Sequence, residues 1–158
     1  MTHFSWQGAR AWIVFFTIPL LGVLAGCATS TKASLVAEKQ RLETVLQGTP
    51  AVLSLRADDS LGVDMPLRSC FERGRATVKP SLAKVLDRMA SSQRDETTHL
   101  LVMAPTDPGV KALALAMQRA VTTRDYLIER GLDASRFSVS AVARDPMVRI
   151  VITASASP

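Results

Sequence analysis

Two spacings of apolar residues along the chain separate predicted strands from predicted helices. Apolar residues run without interruption from Leu100 to Ala104, with His99 before them and Pro105 after them. A short apolar run between polar and turn residues is typical of a buried strand. The other predicted strands cover residues 52–55, 63–71, 137–142 and 148–153. Pro66 marks the second of these as an edge or interrupted strand, and the short linker between the last two favours a hairpin.

Apolar residues spaced three or four apart predict two helices between these strands. The first helix starts at Pro80 and carries a stripe of Leu82, Val85, Leu86 and Met89. The second helix follows the turn at residues 105–109 and ends at Gly131. Its apolar positions are Val110, Leu113, Met117, Ala120, Val121, Leu127 and Ile128. Arg119 lies off this stripe, so we expect it to point back toward the turn.

The predicted domain covers residues 51–158. From the predicted strand at residues 63–71 onward, the order is strand, helix, strand, helix, strand, strand. Alternating strands and helices that end in two strands imply an α+β domain. We expect a two-layer sandwich in which a mixed sheet carries both helices on one face.

The N-terminal 26 residues have the pattern of a cleaved export signal. Arg10 is their only full charge, and an uncharged run from Ala11 to Ala25 follows it. This run falls short of the roughly 20 apolar residues that span a bilayer, and it fits the core of a signal peptide. The segment Leu24-Ala25-Gly26-Cys27 resembles the bacterial lipobox, which implies lipidation of Cys27 by acyl chains such as palmitate. Ala28 follows the cysteine in place of the aspartate that, by the same resemblance, is linked to retention in the inner membrane. The sequence therefore favours the outer membrane.

Residues 27–50 are predicted to connect the anchor to the domain. Residues 28–33 are small and Ser/Thr-rich, which is typical of a tether. Residues 34–47 are predicted to form a short helix, which would be marginal on its own. Three roles stay open for this helix: packing on the domain, pairing with a partner helix, or acting as a spacer.

The charge and the cysteine count limit the classes of function. The sequence pI of about 9.8 and the net charge of +5 favour an anionic partner or surface, but an exported protein is not expected to bind nucleic acid. Cys27 and Cys70 are the only cysteines. If Cys27 carries lipid, Cys70 has no partner within the chain, so we expect a small apolar core residue, with an intermolecular bridge as the alternative. No nucleophile, acid or phosphate-loop motif accompanies His99, so we expect no enzyme, no metal and no cofactor.

Two stretches resemble the OmpA C-terminal-like peptidoglycan-binding family. The stretch from Thr106 to Phe137, TDPGVKALALAMQRAVTTRDYLIERGLDASRF, has the Thr-Asp turn, the Leu-x-x-x-Arg-Ala helix and the Tyr-Leu-x-x-x-Gly ending of that family. The stretch from Phe71 to Pro80, FERGRATVKP, has its Phe-x-x-Gly-x-Ala-x-x-x-Pro pattern. The segment Arg149-Ile-Val-Ile152, within the predicted strand at residues 148–153, resembles the closing Arg-Val-Glu-Ile strand of the family.

The resemblance implies a binding site for the diaminopimelate-containing peptide of peptidoglycan. Asp107 and Arg119 would clamp the zwitterionic end of diaminopimelate, with Thr106 and Arg149 beside them. The residues themselves leave alternatives open. Asp107 before Pro108 is also a standard helix cap, Arg119 could be a solvated helical arginine, and Arg149 could contact solvent or lipid headgroups.

Several positions depart from the family pattern. Ala104-Pro105 replaces Gly-His, Ala112 and Ala116 replace an asparagine and a serine, and Val148 replaces the first of two arginines.

Two functions are therefore expected. The first is an outer-membrane lipoprotein with a periplasmic domain that binds peptidoglycan noncovalently and links membrane to wall. The alternative is a domain with the same fold but no wall binding, which serves as a structural or adaptor subunit for other envelope proteins.

Overall fold

The computed structural model describes residues 27–109, 113–143 and 145–154, so the predicted signal peptide lies outside the described residues. The strands are β1 (Val52–Leu55), β2 (Leu61–Pro66), β3 (Thr98–Pro105), β4 (Phe137–Val142) and β5 (Met147–Ala154). The helices are α1 (Cys27–Val45), α2 (Leu67–Cys70), α3 (Pro80–Gln93) and α4 (Ala114–Glu129), with a 3-10 turn at Ala134–Arg136. The strands form one mixed sheet in the order β1-β2-β5-β3-β4. The predicted α+β architecture is confirmed.

The last two strands do not form the hairpin that the sequence predicts. β4 pairs in parallel with β3, because α4 crosses over between them, and β5 lies between β2 and β3, antiparallel to both. Val102 of β3 therefore has Val139 of β4 on one side and Ile150 of β5 on the other. The prediction was wrong because a short linker does not require adjacent strands. Strands two places apart in a sheet are about 10 Å apart, a distance that the four-residue linker can span.

The predicted extended run at residues 63–71 ends at Pro66, where the chain turns into α2. Pro66 thus interrupts the run, as expected, although β2 is an interior strand and not an edge. Cys70, at the end of α2, is free and fully buried, and burial raises the pKa of its thiol to about 12. A buried thiol of this kind is inert toward other chains, which removes the basis for an intermolecular bridge.

A single hydrophobic cluster holds the helices on the sheet. The predicted stripe of α3 is fully buried, and its residues pack with those of β2, β3 and β5; the α3 members are Leu82, Val85, Leu86 and Met89. Leu42 of α1 and Leu46, which directly follows α1, belong to the same cluster. The N-terminal helix therefore packs on the domain, which is the first of the three roles left open for it.

Polar contacts also fix α1 to the domain. Arg88 of α3 donates hydrogen bonds to the carbonyl oxygens of Val45 and Gln47 at 2.9 Å, which satisfies the end of α1. Arg41 pairs with Glu96 at 2.6 Å. The helix starts at Cys27 and so includes residues 28–33, for which the sequence predicts a tether. No helix among the described residues is long and apolar enough to cross a membrane.

Candidate functional site

The buried face of α4 differs from the predicted apolar stripe. Its buried residues are Ala116, Arg119, Ala120, Thr123 and Leu127. Leu113 and Met117, which the pattern placed inside, are 47% and 40% exposed. The stripe prediction is therefore wrong in the first half of the helix. Arg119 is fully buried, and the neighbouring alanines on this face are small enough to leave room for its side chain.

The Arg119 guanidinium donates four hydrogen bonds to groups inside the protein. Its Nε donates to the carbonyl oxygen of Arg75 at 2.9 Å, and its Nη1 donates to that of Pro105 at 3.2 Å. Its Nη2 donates to the carbonyl oxygen of Glu72 at 3.2 Å and to Asp107 Oδ1 at 2.8 Å. The phenyl ring of Phe71 lies 5.4 Å from the guanidinium carbon. A solvated helical arginine is therefore excluded, since four of five N–H groups are engaged.

Asp107 and Arg119 meet because the helix does not begin at Pro108. If it did, the two residues would be separated by about 18 Å along the helix axis. Instead α4 begins at Ala114, with Leu113 at the N-cap, and the Asp107 carboxylate lies 2.8 Å from the Arg119 guanidinium. The alternative that Asp107 caps this helix is therefore wrong.

The second oxygen of Asp107 holds the loop between α2 and α3. Its Oδ2 accepts a hydrogen bond from the backbone N–H of Gly74 at 2.7 Å. Gly74 has a φ of +69°, a conformation that favours glycine. Together with the bonds from Arg119 to the carbonyls of Glu72 and Arg75, this contact fixes the backbone on both sides of Arg73.

The carboxylate of Asp107 stays ionised in this setting. Burial by itself would raise its pKa, but the hydrogen bonds from Gly74 and Arg119 and the charges of Arg119 and Arg73 outweigh it and lower the pKa. The described pair is therefore a true ion pair at neutral pH.

A groove of about 1150 Å³ opens beside Asp107. Three segments line it, namely residues 66–73 in part, residues 106–109 and residues 145–147, together with Lys79. Thr106 and Asp107 lie at its wall and are nearly buried, at 6% and 5% exposure. Arg119 is not among the lining residues and stands behind Asp107.

Arg149 occupies a different place from the one that the resemblance predicts. It pairs with Asp64 at 2.7 Å across β2 and β5, and with Asp145 at 3.2 Å. Arg149 is not a lining residue of the groove, but its partner Asp145 is. The structure therefore brings together Thr106, Asp107 and Arg119, and leaves Arg149 in a separate ion-pair cluster.

Two further predictions concern the anchor and metals. Cys27 is the first described residue and the first residue of α1. Among the described residues, no group of three His, Cys, Asp or Glu side chains is placed to hold a metal ion.

Sequence reasoning missed the backbone partners of Arg119 and the position of Arg73 in the groove. The carbonyls of Glu72, Arg75 and Pro105 have no side-chain signature, so no motif could have revealed them. Gly74 was the one available signal, since it is a marker residue of the Phe-x-x-Gly-x-Ala-x-x-x-Pro pattern ahead of α3.

No protein-family model matches the sequence, and no curated protein matches it. Solved structures do match. A MotB-like protein from Desulfovibrio vulgaris has a TM-score of 0.68 at 11% identity, with 82% of this chain and 96% of that chain covered. The cell wall anchor of the T6SS from Pseudomonas aeruginosa has a TM-score of 0.62 at 21% identity, with coverage of 74% and 99%.

The OmpA-like domain of FopA1 from Francisella tularensis has a TM-score of 0.52 at 17% identity, with coverage of 66% and 79%. At such identities the likeness establishes the fold. The chain therefore has an OmpA-like fold, as the resemblance in its sequence predicts.

Replacing Arg119 by methionine should lower the free energy of unfolding by roughly 3–5 kcal/mol, because Asp107 would stay buried without its cation. Arg130, which pairs with Asp87 at 2.7 Å on the exposed surface, is the matched control. We expect Arg130→Met to cost much less. Urea unfolding at pH 7 measures both, and equal losses would contradict the structural role of Arg119.

The same pair should make stability depend on pH. Because the pKa of Asp107 is lowered in the folded state, its contribution is present above the unfolded-state pKa of about 3.9. It is lost as pH falls through the folded-state pKa. The stability gap between the wild type and Asp107→Asn should therefore be largest at neutral pH and shrink below about pH 4. Unfolding measured from neutral to acidic pH tests this, and a constant gap would show that the ionised carboxylate contributes nothing.

Proposed function

We propose that this chain is an outer-membrane lipoprotein whose periplasmic domain binds the peptide of peptidoglycan noncovalently and so links the membrane to the cell wall. The observation that carries the proposal is the groove beside Asp107, which opens at the loop ends of an OmpA-like fold. The OmpA-like motifs around Phe71 and Asp107 border this groove.

The shape of the groove supports a peptide as the ligand. Its volume exceeds the range of about 300–1000 Å³ that is common for small-molecule sites. Apolar side chains such as Phe71, Leu67 and Met147 lie in its wall beside charged ones. A peptide with methylene segments and charged ends matches this mixture.

Asp107 is the group that would bind a ligand ammonium. Each of its oxygens accepts one protein hydrogen bond, and each keeps a second lone-pair site. Because Arg119 and Gly74 hold the carboxylate at the groove wall, an incoming ammonium finds it already oriented. Thr106 precedes it in the same wall.

The likeness to the T6SS cell wall anchor supports a role at the wall. The region that matches that structure covers 74% of this chain. The fold alone does not decide the ligand, so the groove and the motif residues carry the proposal.

The membrane part of the proposal rests on the lipobox-like sequence that ends at Cys27. Several acyl chains would anchor the protein stably, since each buried methylene contributes about 0.8 kcal/mol. In a Gram-negative host, the wild type should incorporate labelled palmitate and sediment with the outer membrane. Cys27→Ser should do neither, and a wild type that stays unlabelled would overturn the anchoring.

The second candidate function is a structural or adaptor subunit that has lost wall binding. The burial of Arg119 favours it, because a guanidinium with its donors engaged has little left for a ligand. The two functions differ in one measurable property, the affinity of the domain for purified wall.

Sedimentation of the detergent-solubilised full chain with purified sacculi separates these functions. Wall binding predicts that the wild type co-sediments and that Asp107→Asn binds about tenfold more weakly, since it loses a charged hydrogen-bond acceptor. Asp125→Asn is the matched control, because Asp125 pairs with Arg124 on the surface of α4. Circular dichroism verifies that both variants fold. Failure of the wild type to co-sediment would reject wall binding and favour the adaptor role.

A further inference from the structure

Each carboxylate that lines the groove beside Asp107 has a cation of its own. Asp107 pairs with Arg119 at 2.8 Å and Asp145 with Arg149 at 3.2 Å. Glu72 pairs with Lys79 at 2.8 Å. Each of these three carboxylates therefore has one salt-bridge partner within the protein.

Two lining arginines remain without such a partner. Arg68 and Arg73 are exposed. Within the part of the chain that the structure describes, neither side chain makes a hydrogen bond or an ion pair. The groove therefore contains two guanidinium groups without a salt-bridge partner among the described residues, and apolar side chains such as Phe71 line it as well.

Arg73 stands on a loop whose backbone is held rigidly. Arg119 binds the carbonyl oxygens of Glu72 and Arg75, and Asp107 binds the N–H of Gly74. Three hydrogen bonds thus fix the residues on either side of Arg73. Arg73 itself lines the groove, and its charge acts on Asp107 and helps to lower the pKa of that carboxylate.

Arg119 is poorly suited to bind an external anion. It is fully buried and donates four hydrogen bonds inside the protein. Moving it toward a ligand would break these bonds and leave Asp107 unpaired, which is costly for a buried charge.

We propose that Arg73, assisted by Arg68, binds a carboxylate of the wall peptide, and that Arg119 is a positioning residue that holds the loop of Arg73. This assignment rests on the proposed function. A planar guanidinium matches a carboxylate with two parallel hydrogen bonds. The ligand would then lie between two groups of opposite charge, with its ammonium on Asp107 and its carboxylate on Arg73.

Binding of a synthetic stem tripeptide that ends in diaminopimelate tests the assignment. The detergent-solubilised full chain is titrated with this peptide and with the same peptide after amidation of its diaminopimelate carboxylates. Arg73→Gln should weaken binding of the free acid about tenfold. It should leave the already weak binding of the amide unchanged, because the contact is absent there. Arg73→Lys should recover part of the loss, since it restores the charge but not the paired hydrogen bonds.

Arg75→Gln is the matched control. Arg75 is an exposed arginine of the same loop, but its side chain does not line the groove. Its replacement should leave binding unchanged. Equal losses in Arg73→Gln and Arg75→Gln would reduce the effect to general charge and overturn the assignment.

The remaining outcomes separate this inference from the proposed function. If the wild type binds sacculi and Arg73→Gln binds the free-acid peptide equally well, the role of Arg73 is rejected and wall binding stands. If the wild type binds neither sacculi nor the peptide, wall binding and the role of Arg73 fail together.

Discussion

The ion pair between Asp107 and Arg119 joins segments of the chain that lie far apart in sequence. A guanidinium fully removed from water must find partners for its N–H groups, or it costs several kcal/mol. Arg119 finds them in the loop after α2, in the end of β3 and in Asp107. The start of α4, the loop before α3 and the end of β3 are thereby fixed relative to one another. These are the segments that shape the groove.

Much of the fold could be predicted from the spacing of apolar residues, but the order of the strands could not. The α3 stripe was read correctly because Leu82, Val85, Leu86 and Met89 are large and all face the core. The α4 stripe was misread because its buried face uses alanines, which give a weak apolar signal, while Leu113 is exposed. The central place of β5 depends on pairing between segments far apart in sequence, and local patterns do not encode such pairing.

The candidate site shows the same division. The pairing of Asp107 with Arg119 was expected from the motif, and the two side chains do meet. Their burial and their backbone partners were not expected, because a motif gives the identity of a side chain but not its surroundings. This difference changes the chemistry. Arg119 donates its hydrogen bonds inside the protein and so acts through the loop that it holds. The lining arginines without a salt bridge among the described residues are Arg68 and Arg73.

The docking of α1 has a mechanical consequence. A helix of 19 residues is about 28 Å long. Its residues Leu35 and Leu42 are buried, and Leu42 belongs to the core cluster. If Cys27 carries the proposed lipid, a helix and not a flexible segment would connect the membrane anchor to the domain. The distance from that anchor to the domain would then be set by the helical turns that precede Leu35.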